Sequence, residues 1–266
     1  MKDVIAWLWL MPASALIAGA CTWLFTRNED APENTRLLAV FMGTFVLAVA
    51  GFSLVNVNFP GGRGFDTVAQ KVPSVAALKQ YDPQAYEVLK TEFEQGVKRG
   101  TRQEELVVHM QARMGELMRE RLPRASNASV VAYFTPVVTA MEAIHAKDPE
   151  ACLQILGGVN TRALSRNVSS DLQLKTDDAL AEVIKSAATN PQSPPDQQEV
   201  QALMAGISKK VMQRHTSAIA QVMERGGSPS SSKELMCSIT LDTMHEVLTL
   251  PEEQAGMLLR GMNSAN

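Results

Sequence analysis

The sequence has little cysteine, and what it has is scattered. Cys21, Cys152 and Cys237 are its three cysteines. No two lie close enough for a Cys-x-x-Cys pair, which removes zinc ribbons and dithiol redox motifs. A basic excess is missing too. The 25 Lys and Arg stand against 28 Asp and Glu, a net charge of −3, without the cationic footprint of a nucleic-acid binder. No Gly-x-Ser-x-Gly elbow presents a serine nucleophile, and no Gly-Lys-Ser/Thr closes a phosphate loop. No stretch alternates apolar and polar residues with period two beside hairpin turns, so a sheet is not expected. No cofactor is indicated, and these absences together incline the reading away from catalysis.

What the chain does have is concentrated at its start. Val4–Phe25 holds 22 residues without a charge, and Leu37–Val57 holds 21. At 1.5 Å rise per residue these make helices of roughly 33 and 31 Å, enough to cross a hydrocarbon core of about 30 Å. All three tryptophans lie in the first run, Trp7 and Trp9 near one end and Trp23 near the other. That spacing suits an aromatic belt at both membrane interfaces. Ala15 and Gly19 in the first run, with Ala39 and Gly43 in the second, are small residues four apart that let two helices pack closely in lipid. Thr26–Arg36 between them is rich in turn formers. Residues 1–59 therefore read as a transmembrane hairpin with spans at about 4–25 and 37–57.

A cleaved signal peptide fits less well. Asp3 directly follows Lys2, and the apolar run outlasts an h-region. Ala18-Gly19-Ala20-Cys21 resembles a lipobox, but Thr22–Phe25 after it is apolar where a lipidated cysteine needs a polar tether. On the outer flanks lie Lys2, the amino terminus, Arg63, Lys71 and Lys79, against Arg27 and Arg36 in the loop. This bias, though small, points to both termini and the soluble part in the cytoplasm of a bacterial inner membrane. The alternative is a periplasmic domain, in which Cys152–Cys237 would be the one bridge available. In a cytosolic domain both cysteines are expected to be free and buried.

The rest reads as a linker over 60–74 and a soluble helical domain over 75–266, with a break near 190–196 that could divide it. Asp82-Pro83 caps a helix that Gly100 ends, and Thr101 with Glu104 suggests a capping box for the next. The segment from Ser129 or Thr135 to Ala146 is ambiguous, because Pro136 interrupts it. Asp148-Pro149 opens a short helix. Asp177–Ala188 is helical in period, and Asp196 with Glu199 caps a long helix reaching Arg225. Ser231 with Glu234 starts another through Leu248, and Pro251 opens the last. The fold class expected is all-α.

Two constellations could carry chemistry. Glu142 and His145, three apart on a helix, share a face, and so do Asp242 and His245. Carboxylate-x-x-His helices of this kind build two-metal bundles, although the full set takes carboxylates from two further helices. Lys209 and Lys210 stand where one of those would be needed. The second constellation is methionine. The chain has 14, and Met110, Met114 and Met118 form a helical stripe that suits either a core or an adaptable partner face. The basic Lys98–Arg124 segment, with seven basic residues against four glutamates, is either a solvated face or a surface turned to anionic headgroups. The function expected is a membrane-anchored adaptor, with bilayer lipid and a protein as partners. A metal-dependent bundle enzyme and a structural membrane subunit are its alternatives.

Overall fold

The computed structural model describes residues 64–148, 151–152, 167–224 and 229–264, with side chains for all of these except 222–224 and 229–232. The hairpin over 1–59 lies outside the described residues, and with it Trp7, Trp9, Trp23, Ala15, Gly19, Ala39, Gly43 and Cys21. Among the described residues no helix is long and apolar enough to cross a membrane, and none is in a strand.

The helices in chain order are α1 (Phe65–Ala69), α2 (Pro73–Tyr81), α3 (Pro83–Lys98), α4 (Gln103–Arg121), α5 (Asn127–His145), α6 (Ser170–Thr189), α7 (Gln197–Glu224), α8 (Pro229–Leu248) and α9 (Glu252–Met262). A 3-10 turn, Leu122–Arg124, follows α4. The expected linker already folds from Phe65 onward, because Phe65 is buried against Tyr86 and Phe93 at centroid distances of 5.4 and 5.3 Å.

Local chemistry explains most boundaries. The Asp82 carboxylate accepts the Ala85 N–H at 3.2 Å with Pro83 at the first helical position, which starts α3. Gly100, at φ 72°, ends it in a left-handed turn. The Gly100 N–H then reaches Val97 O, and the Thr101 N–H reaches Gly96 O, each at 3.0 Å. This paired closure satisfies carbonyls left open by the last turn. Thr101 is thereby drawn into the end of α3, and no side chain caps α4 at Arg102. The expected capping box does not form.

α5 runs unbroken through Pro136. Ser126 caps it by accepting the Ser129 N–H at 3.2 Å. Val130, Tyr133, Phe134, Val137, Val138, Met141 and Ile144 give it a broad buried face. This helix is the hub: α6, α8 and α9 all pack on it. α6 in turn carries α2 on another side, the most extensive helix pairing in the domain, and also meets α4. α7 pairs with α8 and α9. One continuous core runs through these layers, from Phe65 to Leu259.

Two charged side chains inside that core are hydrogen-bonded across helices. Asp177 on α6 is 3 % exposed. Its carboxylate accepts the Ser74 N–H at 3.1 Å and the Ser74 hydroxyl at 2.5 Å, so α6 completes the first turn of α2. Arg260 on α9 is 5 % exposed. It donates to Pro123 O and Asn127 Oδ1, both at 3.0 Å, and to Ser193 O. One side chain thus ties α9 to the 3-10 turn, the start of α5 and the 190–196 loop. Burial pulls its guanidinium below the ordinary arginine range.

Candidate functional site

The sequence pairs its carboxylates and histidines along helices; the structure pairs them across helices. Glu142 on α5 meets His245 on α8, Oε1 to Nε2, at 2.8 Å. Asp242, one turn earlier on α8, meets His215 on α7, Oδ2 to Nε2, at 2.8 Å. A carboxylate only accepts, so Nε2 carries the proton in both contacts. His145 takes no part: its Nε2 is buried without a hydrogen-bond partner.

Next along α8, Glu246 accepts from both Lys210 and Arg214 of α7. These cations hold its carboxyl below the usual carboxylate range, with Lys210 the larger influence. The register follows from helix geometry. Asp242 and Glu246 are four apart, so both face α7, whereas His245 is turned toward α5. α7 and α8 run antiparallel, so residues 210 and 214 oppose 246 while 215 opposes 242. The result is a seam in which α8 is stitched to one helix on each side.

Among the described residues no group of three or more His, Cys, Asp or Glu side chains is gathered to hold a metal ion. Glu142, His145, Asp242 and His245 do not form a joint ligand set. The two carboxylates are each taken by a histidine of a neighbouring helix, and His145 stands apart from both pairs.

The methionine stripe is likewise corrected. Met110, Met114 and Met118 are 2, 1 and 0 % exposed, so they fill the core under α4 and are no partner face. Their thioethers close gaps that a branched side chain would leave. Much of the basic Lys98–Arg124 segment is spent internally. Arg102 pairs with Glu105, Arg113 with Glu92 and Glu116, and Arg121 with Asp82. His109 also meets Glu92, at 3.2 Å.

Two further clusters escaped the sequence reading. Asp66 on α1 accepts from Lys79 at 2.6 Å, Lys90 at 2.7 Å and the Tyr86 hydroxyl at 2.9 Å. The lysines hold its carboxyl far below the usual range. Burial, with the Asp66 contact, raises the Tyr86 phenol. This fixes α1 to α2 and α3 at the point where the chain enters the domain. Nothing in the local sequence marks it, since the partners lie 13, 24 and 20 residues away.

The second is covalent. Cys152 and Cys237 form a disulfide with their Cα atoms 6.2 Å apart and a separation of 85 positions in sequence. The free cysteines expected of a cytosolic domain are thus not what the fold contains. The signal available was elimination alone: these are the two cysteines outside the apolar runs.

No family model matches the chain, and neither the curated proteins nor the solved structures contain a match to it.

Proposed function

We propose that this protein is a membrane-held helical adaptor: a hairpin over 1–59 confines a rigid helical domain to a bilayer surface, where the domain binds a protein partner without catalysis of its own. The observation that carries this reading is the pair of uncharged runs, 22 and 21 residues long, with tryptophans at both ends of the first. The chemistry of the domain supports it. The side chains best suited to catalysis are engaged in joining helices: Glu142 to His245, Asp242 to His215 and Glu92 to His109. Near-neutral charge fits a protein partner better than a nucleic acid.

The test uses the tryptophans, all of which lie in Val4–Phe25. In reconstituted vesicles, brominated lipids should quench most of the tryptophan emission. Affinity purification from detergent-solubilised membranes should recover a specific protein. Emission indifferent to the bromine, with protein in the soluble fraction, refutes the anchor. Recovery of no specific protein refutes the adaptor. Replacing the hairpin by an unrelated two-span anchor should preserve partner binding.

A further inference from the structure

We infer that the helical domain faces an oxidising compartment and that its Cys152 and Cys237 are oxidised there by thiol–disulfide exchange, so that both ends of the chain lie outside the cytosol and the Thr26–Arg36 loop lies within it. This rests on the hairpin reading for its topology, and on the disulfide for its side.

The two sulfurs are held where they are by the fold. Cys237 sits on α8, between the half-buried Met236 and Ser238, and Cys152 follows α5. Both residues are 0 % exposed. Their Cα separation of 6.2 Å lies within the range a disulfide spans without backbone movement. Structural disulfides of this kind persist in oxidising compartments and are kept reduced in the cytosol. The contrary bias from basic residues is slight. The positive-inside rule counts residues within about 20 positions of a span, and Lys79 lies 22 beyond Val57 (79 minus 57). That leaves Lys2, Arg63 and Lys71 outside against Arg27 and Arg36 in the loop. A covalent bond weighs more than a difference of one basic side chain.

The chemistry closes with a disulfide oxidant, small-molecule or protein. One cysteine thiolate attacks a sulfur of the oxidant, breaking its S–S bond and releasing one thiol. The other thiolate then attacks the mixed disulfide, forming Cys152–Cys237 and releasing the second thiol. Two electrons and two protons pass to the oxidant. Burial of both sulfurs requires this exchange to precede the final closure of α8 on the core, and it shields the finished bond from reductants.

The experiment traps thiols in intact cells with acid, in the full chain carrying Cys21→Ser. Polyethylene-glycol maleimide is then applied with and without prior reduction in denaturant. The expected result is no mobility shift before reduction and a shift of two thiols after it. A C-terminal alkaline phosphatase fusion should be active and a C-terminal green fluorescent protein fusion dark. Thiols labelled without reduction, or a fluorescent fusion, overturn the inference. Carbonate washing of the same membranes reads the anchor separately. Protein that washes off refutes the hairpin, whereas reduced thiols in washed membranes refute only the compartment.

Discussion

Substituting Gly256 by alanine tests the packing of α9 on α5. A Cβ added there would lie 2.4 Å from Asn127 Cβ, 2.5 Å from its Cα and 2.7 Å from its carbonyl oxygen. These atoms belong to or adjoin the backbone of α5, so no rotamer change relieves them. To restore ordinary contact, α9 must retreat from 2.4 to 3.4 Å, a movement of 1 Å. Arg260 lies one turn further along. The same retreat would lengthen its 3.0 Å bonds to Pro123 O and Asn127 Oδ1 past hydrogen-bonding distance. Overpacking costs about 1–3 kcal/mol, and loosening a buried charged donor costs roughly 1.5–3 kcal/mol. Against this, alanine returns about 1 kcal/mol of helix propensity. The net loss is roughly 1.5–5 kcal/mol, a fall in Tm on the order of 10 °C for a domain of this size.

The control is Gly206→Ala on α7, where an added Cβ meets nothing within 4 Å. Only the propensity gain remains, about 0.5–1 kcal/mol, and Tm should rise. Thermal melts of the full chain in detergent, followed by far-ultraviolet circular dichroism, compare the two variants. A Gly256→Ala protein that melts at or above the wild-type temperature would refute the reasoning.

Replacing both Cys152 and Cys237 by alanine opens a loop of 85 residues. Chain entropy sets its worth at about 4–5 kcal/mol, and the urea midpoint should fall accordingly; an unchanged midpoint counts against a structural role for the bond. Asp177→Ala and Ser74→Ala should each destabilise, with a coupling of about 1–3 kcal/mol in the double-mutant cycle; simple additivity would mean the two do not cooperate. Asp66 is held far below its ordinary pKa by Lys79 and Lys90. Its contribution is therefore full above about pH 4, where the unfolded carboxylate is also ionised, and is lost as pH falls further toward its depressed value. Asp66→Asn should melt below wild type at pH 7, and the gap should narrow below about pH 4. A gap that widens in acid would reverse the assignment.

Which parts of this structure could be read beforehand follows from how local their causes are. Asp82-Pro83 and Gly100 set boundaries through atoms within five residues, and both are legible. Asp196, which caps α7 through the Gln198 N–H at 2.8 Å, is legible for the same reason. The apolar period marks α6 only from Asp177, but the helix begins at Ser170. Its buried face carries Gln173, Thr176 and Asp177, so the apolar period vanishes where polar side chains are used inside. α5 looked doubtful at Pro136 because propensity is a weak prior against a face that buries Tyr133, Phe134 and Val137. In the candidate site, the histidines and carboxylates are legible in the sequence but their partnership is not. Helix spacing puts Glu142 beside His145, whereas tertiary packing gives it His245, 103 residues away (245 minus 142).

Distance along the chain has a consequence for how the domain comes into being. α2 cannot complete its first turn until Asp177 arrives, 103 residues after Ser74. Arg260 closes on groups made 133 and 137 residues earlier. Each such closure carries the entropy of a long loop, so the non-local layers assemble late. During synthesis, α1 to α4 therefore wait without the helix that covers them. The domain is locked as a unit only when Arg260 reaches Pro123 and Asn127.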